Sequence, residues 1–117
     1  MNSSERKEIY SENLPKLIFD GGDFNFVIFS DKETEKYVQF YSNKGAKSIY
    51  VDIPYLAIEE DETERLLQLS DIKFKKENEA YVAGFTIEEG VEFVDQLFLK
   101  VFLLPEDFQI EIELVLD

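Results

Sequence analysis

A chain of 117 residues, 44% hydrophobic and 15% aromatic with eleven Phe and six Tyr, has enough apolar surface to close one core, so residues 1–117 read as a single domain. Cys and His are both absent, which excludes disulfides, thiolate chemistry, zinc hydrolase sites and the Ser/His/Asp and Cys/His arrangements; the expectation is a protein that is not an enzyme and holds no cofactor or metal. The net charge of −14 divides into −2 over residues 1–58 and −12 over residues 59–117, a field that repels nucleic-acid phosphates and either steers a basic protein surface inward or serves solubility alone.

From Ser4 to Phe19, Ile9, Leu14, Leu17 and Ile18 fall near helical spacing, and Pro15 predicts a stop or kink in this N-terminal helix. Gly21 and Gly22 supply a turn before FNFVIFS, a β-branched and aromatic run that predicts a strand. The short polar DKETE then leads to Lys36–Tyr41, where Val38 and Phe40 alternate with Tyr37, Gln39 and Tyr41, the signature of an antiparallel hairpin. After the turn SNKG, Ile49, Val51 and Ile53 alternate with Tyr50 and Asp52 in a third strand that Pro54 ends.

EEDETERLLQLS predicts a short middle helix, with Asp61 and Glu64 at capping-box spacing. DIKFKKENEAYVAGF, alternating around KENE, predicts a second hairpin or one strand plus a loop. Thr86 and Glu89 form another capping-box pair, and Ile87, Val91, Val94, Leu97, Phe98, Val101 and Phe102 recur at three and four, giving a long amphipathic helix that ends before Pro105. The tail FQIEIELVLD places Phe108, Ile110, Ile112, Leu114 and Leu116 on one face of a final strand and Glu111 and Glu113 on the other. The elements together predict an α+β fold: an N-terminal helix, an antiparallel sheet of five to six strands, a short middle helix, then a long helix followed by a last strand. The polar opening MNSSERKEIYSENL has no signal-peptide run, and no stretch approaches the roughly 18 apolar residues of a membrane span. A cytoplasmic protein with no membrane partner is expected.

FVIFSDKETEKYVQFYS, with its apolar strand, polar turn and core KYVQF, resembles the type III secretion chaperone-like superfamily, in particular its tyrosine-rich TY-Chap branch. The similarity runs on through the third strand, TERLLQLSDIKF and the closing helix EEGVEFVDQLFLKVFLLPED, covering residues 5 to 107; the usual loop Gly is here Ser70-Asp71. The resemblance implies a helix, a curved antiparallel sheet and a second packed helix, no enzymatic activity, and a module that holds an extended client segment. Several branches dimerise, which leaves a homodimer open. The strand from Phe108 to Leu116 extends beyond the family pattern and is expected to add to a sheet edge or to exchange in a dimer.

Two groups of residues are candidates for partner binding. Tyr37, Gln39, Tyr41 and Tyr50 share a sheet face opposite Val38, Phe40, Ile49 and Val51; they form an exposed interface unless a second helix covers them as core. Glu88, Glu92 and Asp95, at i, i+4 and i+7, make an acidic helix face offset in that region by Lys100 alone, either a receptor for basic groups or the ordinary wet side of the helix. The acid run from Glu59 to Glu64 lacks the alternating pattern, central Gly and closing Glu of a calcium loop and reads as a solvated helix start. The expected function is a chaperone-like or adaptor module that holds a peptide or a basic protein. The competing expectation is an acidic inhibitor or immunity protein that neutralises a toxin or a nucleic-acid-binding enzyme, as a nucleic-acid mimic does.

Overall fold

A computed structural model describes residues 1–69 and 72–117; the departure at Ser70-Asp71 lies outside the described residues. The N-terminal helix breaks where proline demands it. Helix α1 (Ser3–Asn13) starts on a capping box between Asn2 and Glu5 and closes at Leu14, and Pro15 opens the single turn α2 (Lys16–Phe19). Strands β1 (Asn25–Asp31), β2 (Tyr37–Ser42) and β3 (Ile49–Pro54) form the expected meander. Asp31 fixes the first turn by accepting hydrogen bonds from the Thr34 amide (2.9 Å) and hydroxyl (2.6 Å).

Helix α3 (Glu60–Leu67) begins earlier than Asp61 and Glu64 would place it: Glu59 is the N-cap, and its amide donates to the Glu62 carboxylate at 2.9 Å. Glu62 is the residue turned inward, because Lys36 meets it at 2.9 Å, and that ion pair sets the start of the helix. The second hairpin resolves in favour of two strands, β4 (Lys75–Glu77) and β5 (Ala80–Phe85). Asn78 and Glu79 both take positive φ (49° and 60°), as a two-residue hairpin turn requires.

Helix α4 (Ile87–Gln96) starts on the Thr86–Glu89 capping box, and its apolar stripe continues through a π-helical turn over Leu97–Val101. Leu103, at φ 56°, ends it before Pro105. Strand β6 (Ile110–Val115) then pairs antiparallel with β1 of the same chain, so the tail adds to the sheet edge.

The six strands run in the order β4-β5-β3-β2-β1-β6, every neighbour antiparallel. One face carries Val27, Phe29, Val38, Phe40, Ile49, Val51, Ala83 and Phe85, and α1, α2 and α4 close over it with Tyr10, Leu14, Leu17, Val91, Phe93, Val94 and Phe98. The inward face of β6 is only partly covered: Ile110 is buried, but Ile112 and Leu116 are about 40% exposed at the sheet's edge, so the expected buried row ends early. Among the described residues no helix is long and apolar enough to cross a membrane.

Candidate partner-binding face

Because the side chains of a strand alternate, closing one face of the sheet leaves the other as a second surface made by the intervening residues. Register fixes its layout. One row crosses the sheet as Gly84, Tyr50, Tyr41, Phe26 and Val115; the next crosses as Lys75, Val82, Asp52, Gln39, Ile28 and Glu113. Tyr37 follows, beside Ser30 and Glu111. The helices lie on the opposite face, so Tyr37, Gln39, Tyr41 and Tyr50 are left uncovered by them and do not form a second core. Tyr37 and Tyr50 are 36% and 38% exposed, and Phe24, just before β1, is 55% exposed.

The rings form a connected shelf. Tyr50 stacks on Tyr41 with centroids 5.6 Å apart, Tyr41 on Phe24 at 6.2 Å, and Phe24 meets Phe26 at 6.0 Å. Gly84 seats the outer ring: a Cβ there would lie 3.2 Å from Tyr50 Cε1, so the absence of a side chain lets the ring settle on the backbone of β5. Next to the shelf, Asp52 carries a buried Oδ1 that finds no hydrogen-bond donor among the described residues. Burial pushes its carboxyl above the ordinary value of 3.8. The Tyr41 hydroxyl is likewise pushed up, first by burial and then by the negative charges of Asp52 and Glu77. An open hollow of about 550 Å³ continues the surface past Tyr37 and Gln39 toward Lys32, Glu35 and Glu111.

The second predicted group lies elsewhere. Glu88, Glu92 and Asp95 sit on α4, in the layer on the far side of the sheet, so the two candidate groups do not form one site. Nor do the three acids form one face. Glu88 is exposed, Glu92 is exposed but paired with Lys7 of α1 at 3.0 Å, and Asp95 is buried. The fully buried Arg6 is the reason: its Nε and Nη2 donate to the two Asp95 oxygens at 2.9 and 3.1 Å, and Tyr10 and Ser3 donate to the same carboxylate at 2.8 and 2.7 Å. Burial alone would raise the Asp95 carboxyl, but these hydrogen bonds and the Arg6 charge together hold it below its ordinary range. Arg6 Nη1 also donates to the carbonyls of Met1, Glu106 and Phe108, and its guanidinium lies 4.0 Å from the Phe108 ring centroid. Asp95 is therefore a structural anchor joining α1, α4 and the approach to β6, and the helix face is offset by Arg6 and Lys7 as well as by Lys100.

Phe24, Phe26, Ile28 and Asp52 complete the sheet face beyond the residues the sequence singled out. Asp52 was legible as a face-mate of Tyr50 from the alternation of β3, and Phe26 and Ile28 from that of β1. Phe24 precedes β1 by one residue, although the run FNFVIFS already places it in alternation with Phe26 and Ile28. Among the described residues no cluster of acids is arranged to hold a metal ion.

The fold and the face define an α+β domain whose antiparallel sheet is covered on one side and bears an aromatic shelf on the other. Comparison with protein-family models, with curated proteins and with solved structures finds no match to this chain.

Proposed function

We propose that this domain is a non-enzymatic protein-binding module, chaperone-like or adaptor in role, which holds a segment of another protein against the open face of its sheet. The observation that supports it is the aromatic shelf of Phe24, Phe26, Tyr41 and Tyr50, continuous across β1, β2 and β3, on a face that the chain's own helices leave free. A contiguous exposed aromatic patch costs solubility, and tyrosine combines large contact area with a polar tip and few rotatable bonds, the properties that concentrate it at interfaces. The net charge of −14 favours a basic partner.

The test is affinity capture from native lysate with the wild-type domain and with the double variant Tyr41→Ser/Tyr50→Ser. A protein captured by the wild type is lost by the double variant and kept by Glu88→Lys, whose site lies on the helix side. Capture that survives the double variant and fails with Glu88→Lys contradicts the proposal and favours the acidic inhibitor, which would act through its charged helical side.

A further inference from the structure

The sheet ends in two edges that are built differently. At one, β4 is only Lys75, Lys76 and Glu77, all charged and all exposed, the usual protection of an edge against further pairing. At the other, β6 runs for six residues without Pro or Gly and keeps an unbroken register with β1 from Ile110 to Val115, so no bulge turns it away. Its helix-side row is Ile110, Ile112 and Leu114, opposite Asp31, Phe29 and Val27. That row carries no charge, and Ile112 and Leu116 remain 41% and 38% exposed. The ladder decides which backbone groups face outward. The Lys32 amide donates to the Gln109 carbonyl at 3.0 Å, and the Asp117 amide donates to Asn25 Oδ1 at 2.9 Å, so the odd-numbered residues of this strand turn toward β1. The amides and carbonyls of Ile110, Ile112 and Leu114 therefore point away from the sheet, and among the described residues no other strand or loop takes them up.

The side chains of β6 discriminate between occupants. Glu111 and Glu113 stand on the open-face side beside Ser30 and Ile28, both are exposed, and among the described residues neither enters an ion pair. The hollow next to Glu111 is lined by one cation, Lys32, against Asp31, Glu35 and Glu111. A second copy of this chain, pairing β6 antiparallel to β6 about Ile112 or Glu113, would set glutamate across from glutamate with Cβ atoms ~5 Å apart, which is destabilising. A segment whose alternate residues are basic meets the same glutamates favourably and lays its other, apolar residues beside Ile112 and Leu114. Antiparallel docking continues the sheet as it is built, every neighbour in it being antiparallel.

We infer that β6 is an acceptor edge on which an extended segment of a partner protein, alternating basic and apolar residues, docks antiparallel as a seventh strand. Its apolar residues stand opposite Ile110, Ile112 and Leu114 and exchange backbone hydrogen bonds with them, and its basic residues stand opposite Glu111 and Glu113. This rests on the reading of the sheet as a protein-binding surface and adds the backbone conformation and side-chain pattern of what is bound. The edge adjoins the aromatic shelf, because Val115 ends the row that runs from Gly84 through Tyr50, Tyr41 and Phe26.

The experiment is a ¹⁵N–¹H chemical-shift titration of the intact chain with an acetylated, amidated peptide that alternates valine with lysine, beginning and ending on valine. Amides of β6 and β1 are expected to shift, and the counterpart with glutamate in place of lysine to bind more weakly by about tenfold or more. N-methylating the valine amides, which must donate to β6, should weaken binding by about tenfold or more, whereas N-methylating the lysine amides, which point away from it, should leave affinity within about threefold. The double variant Glu111→Gln/Glu113→Gln should cost about tenfold in affinity, and Tyr41→Ser/Tyr50→Ser should leave it unchanged. Equal affinity for the two methylated peptides or the opposite order, indifference to the loss of the glutamates, or shifts confined to β2 and β3 would overturn the inference. So would a dimer of the free chain, seen by sedimentation and abolished by Ile112→Lys, because a second copy would then hold the edge. Failure of the peptide leaves the captured partner's dependence on Tyr41 and Tyr50 standing, whereas loss of that dependence removes the wider reading and not the binding of the peptide.

Discussion

Asp52 and Asp95 are the same residue type in opposite circumstances. Asp95 meets Arg6, Tyr10 and Ser3, so its folded carboxyl is held below the ordinary value; its contribution is complete above that value and is lost as pH falls through the lower folded one. Removing it leaves a fully buried guanidinium without its counter-ion, and Asp95→Ala is expected to lower unfolding free energy by about 3–5 kcal/mol at neutral pH, measured by urea denaturation. Asp52 has the reverse sign. Its folded carboxyl is raised, so the folded state binds the extra proton and stability falls as pH rises through the window above the ordinary value. Asp52→Asn is therefore expected to raise the thermal midpoint at neutral pH, with the gain shrinking as the solution is acidified below the ordinary carboxylate range. A lower midpoint at neutral pH would show that Asp52 has a structural partner.

At the scale of elements, the strands were legible because each has a clean period of two, and α4 because its apolar stripe and capping box agree. What escaped was set by contacts between elements far apart in the chain. The start of α3 depends on Lys36, which lies before β2, and the burial of Asp95 depends on Arg6, whose partner is 89 residues away. Neither pairing leaves a local trace, so spacing alone placed the capping box two residues late and an anchoring acid on a wet face. Gly90 is a similar case. It marks where α4 crosses the core, and a Cβ there would lie 2.6 Å from Ile49 Cδ1 and 3.4 Å from Leu14 Cδ1, both in fully buried side chains. Gly90→Val is expected to destabilise by about 1–3 kcal/mol through overpacking, seen as a lower urea midpoint. Thr86→Ala, which removes the cap of the same helix, should cost about 1 kcal/mol.

Across the whole molecule, the sheet separates two chemistries: a helix layer whose charges are partly paired internally, and an open face that bears a row of aromatic rings beside a carboxylate oxygen with no donor among the described residues. The side of the sheet bearing the tyrosines could be read from alternation, but whether a helix covered it could not, because that depends on where α1 and α4 dock. The acidity of residues 59–117 predicts that partner binding weakens with added salt, the affinity falling most steeply below about 0.2 M, where screening changes fastest. The central claim, that the open face holds a partner, is tested most directly by placing a photo-activatable benzophenone side chain at position 50 and, separately, at position 92, and irradiating each protein in its native lysate. A covalent adduct of defined mass from position 50 and none from position 92 is the predicted result; an adduct from position 92 alone would contradict it.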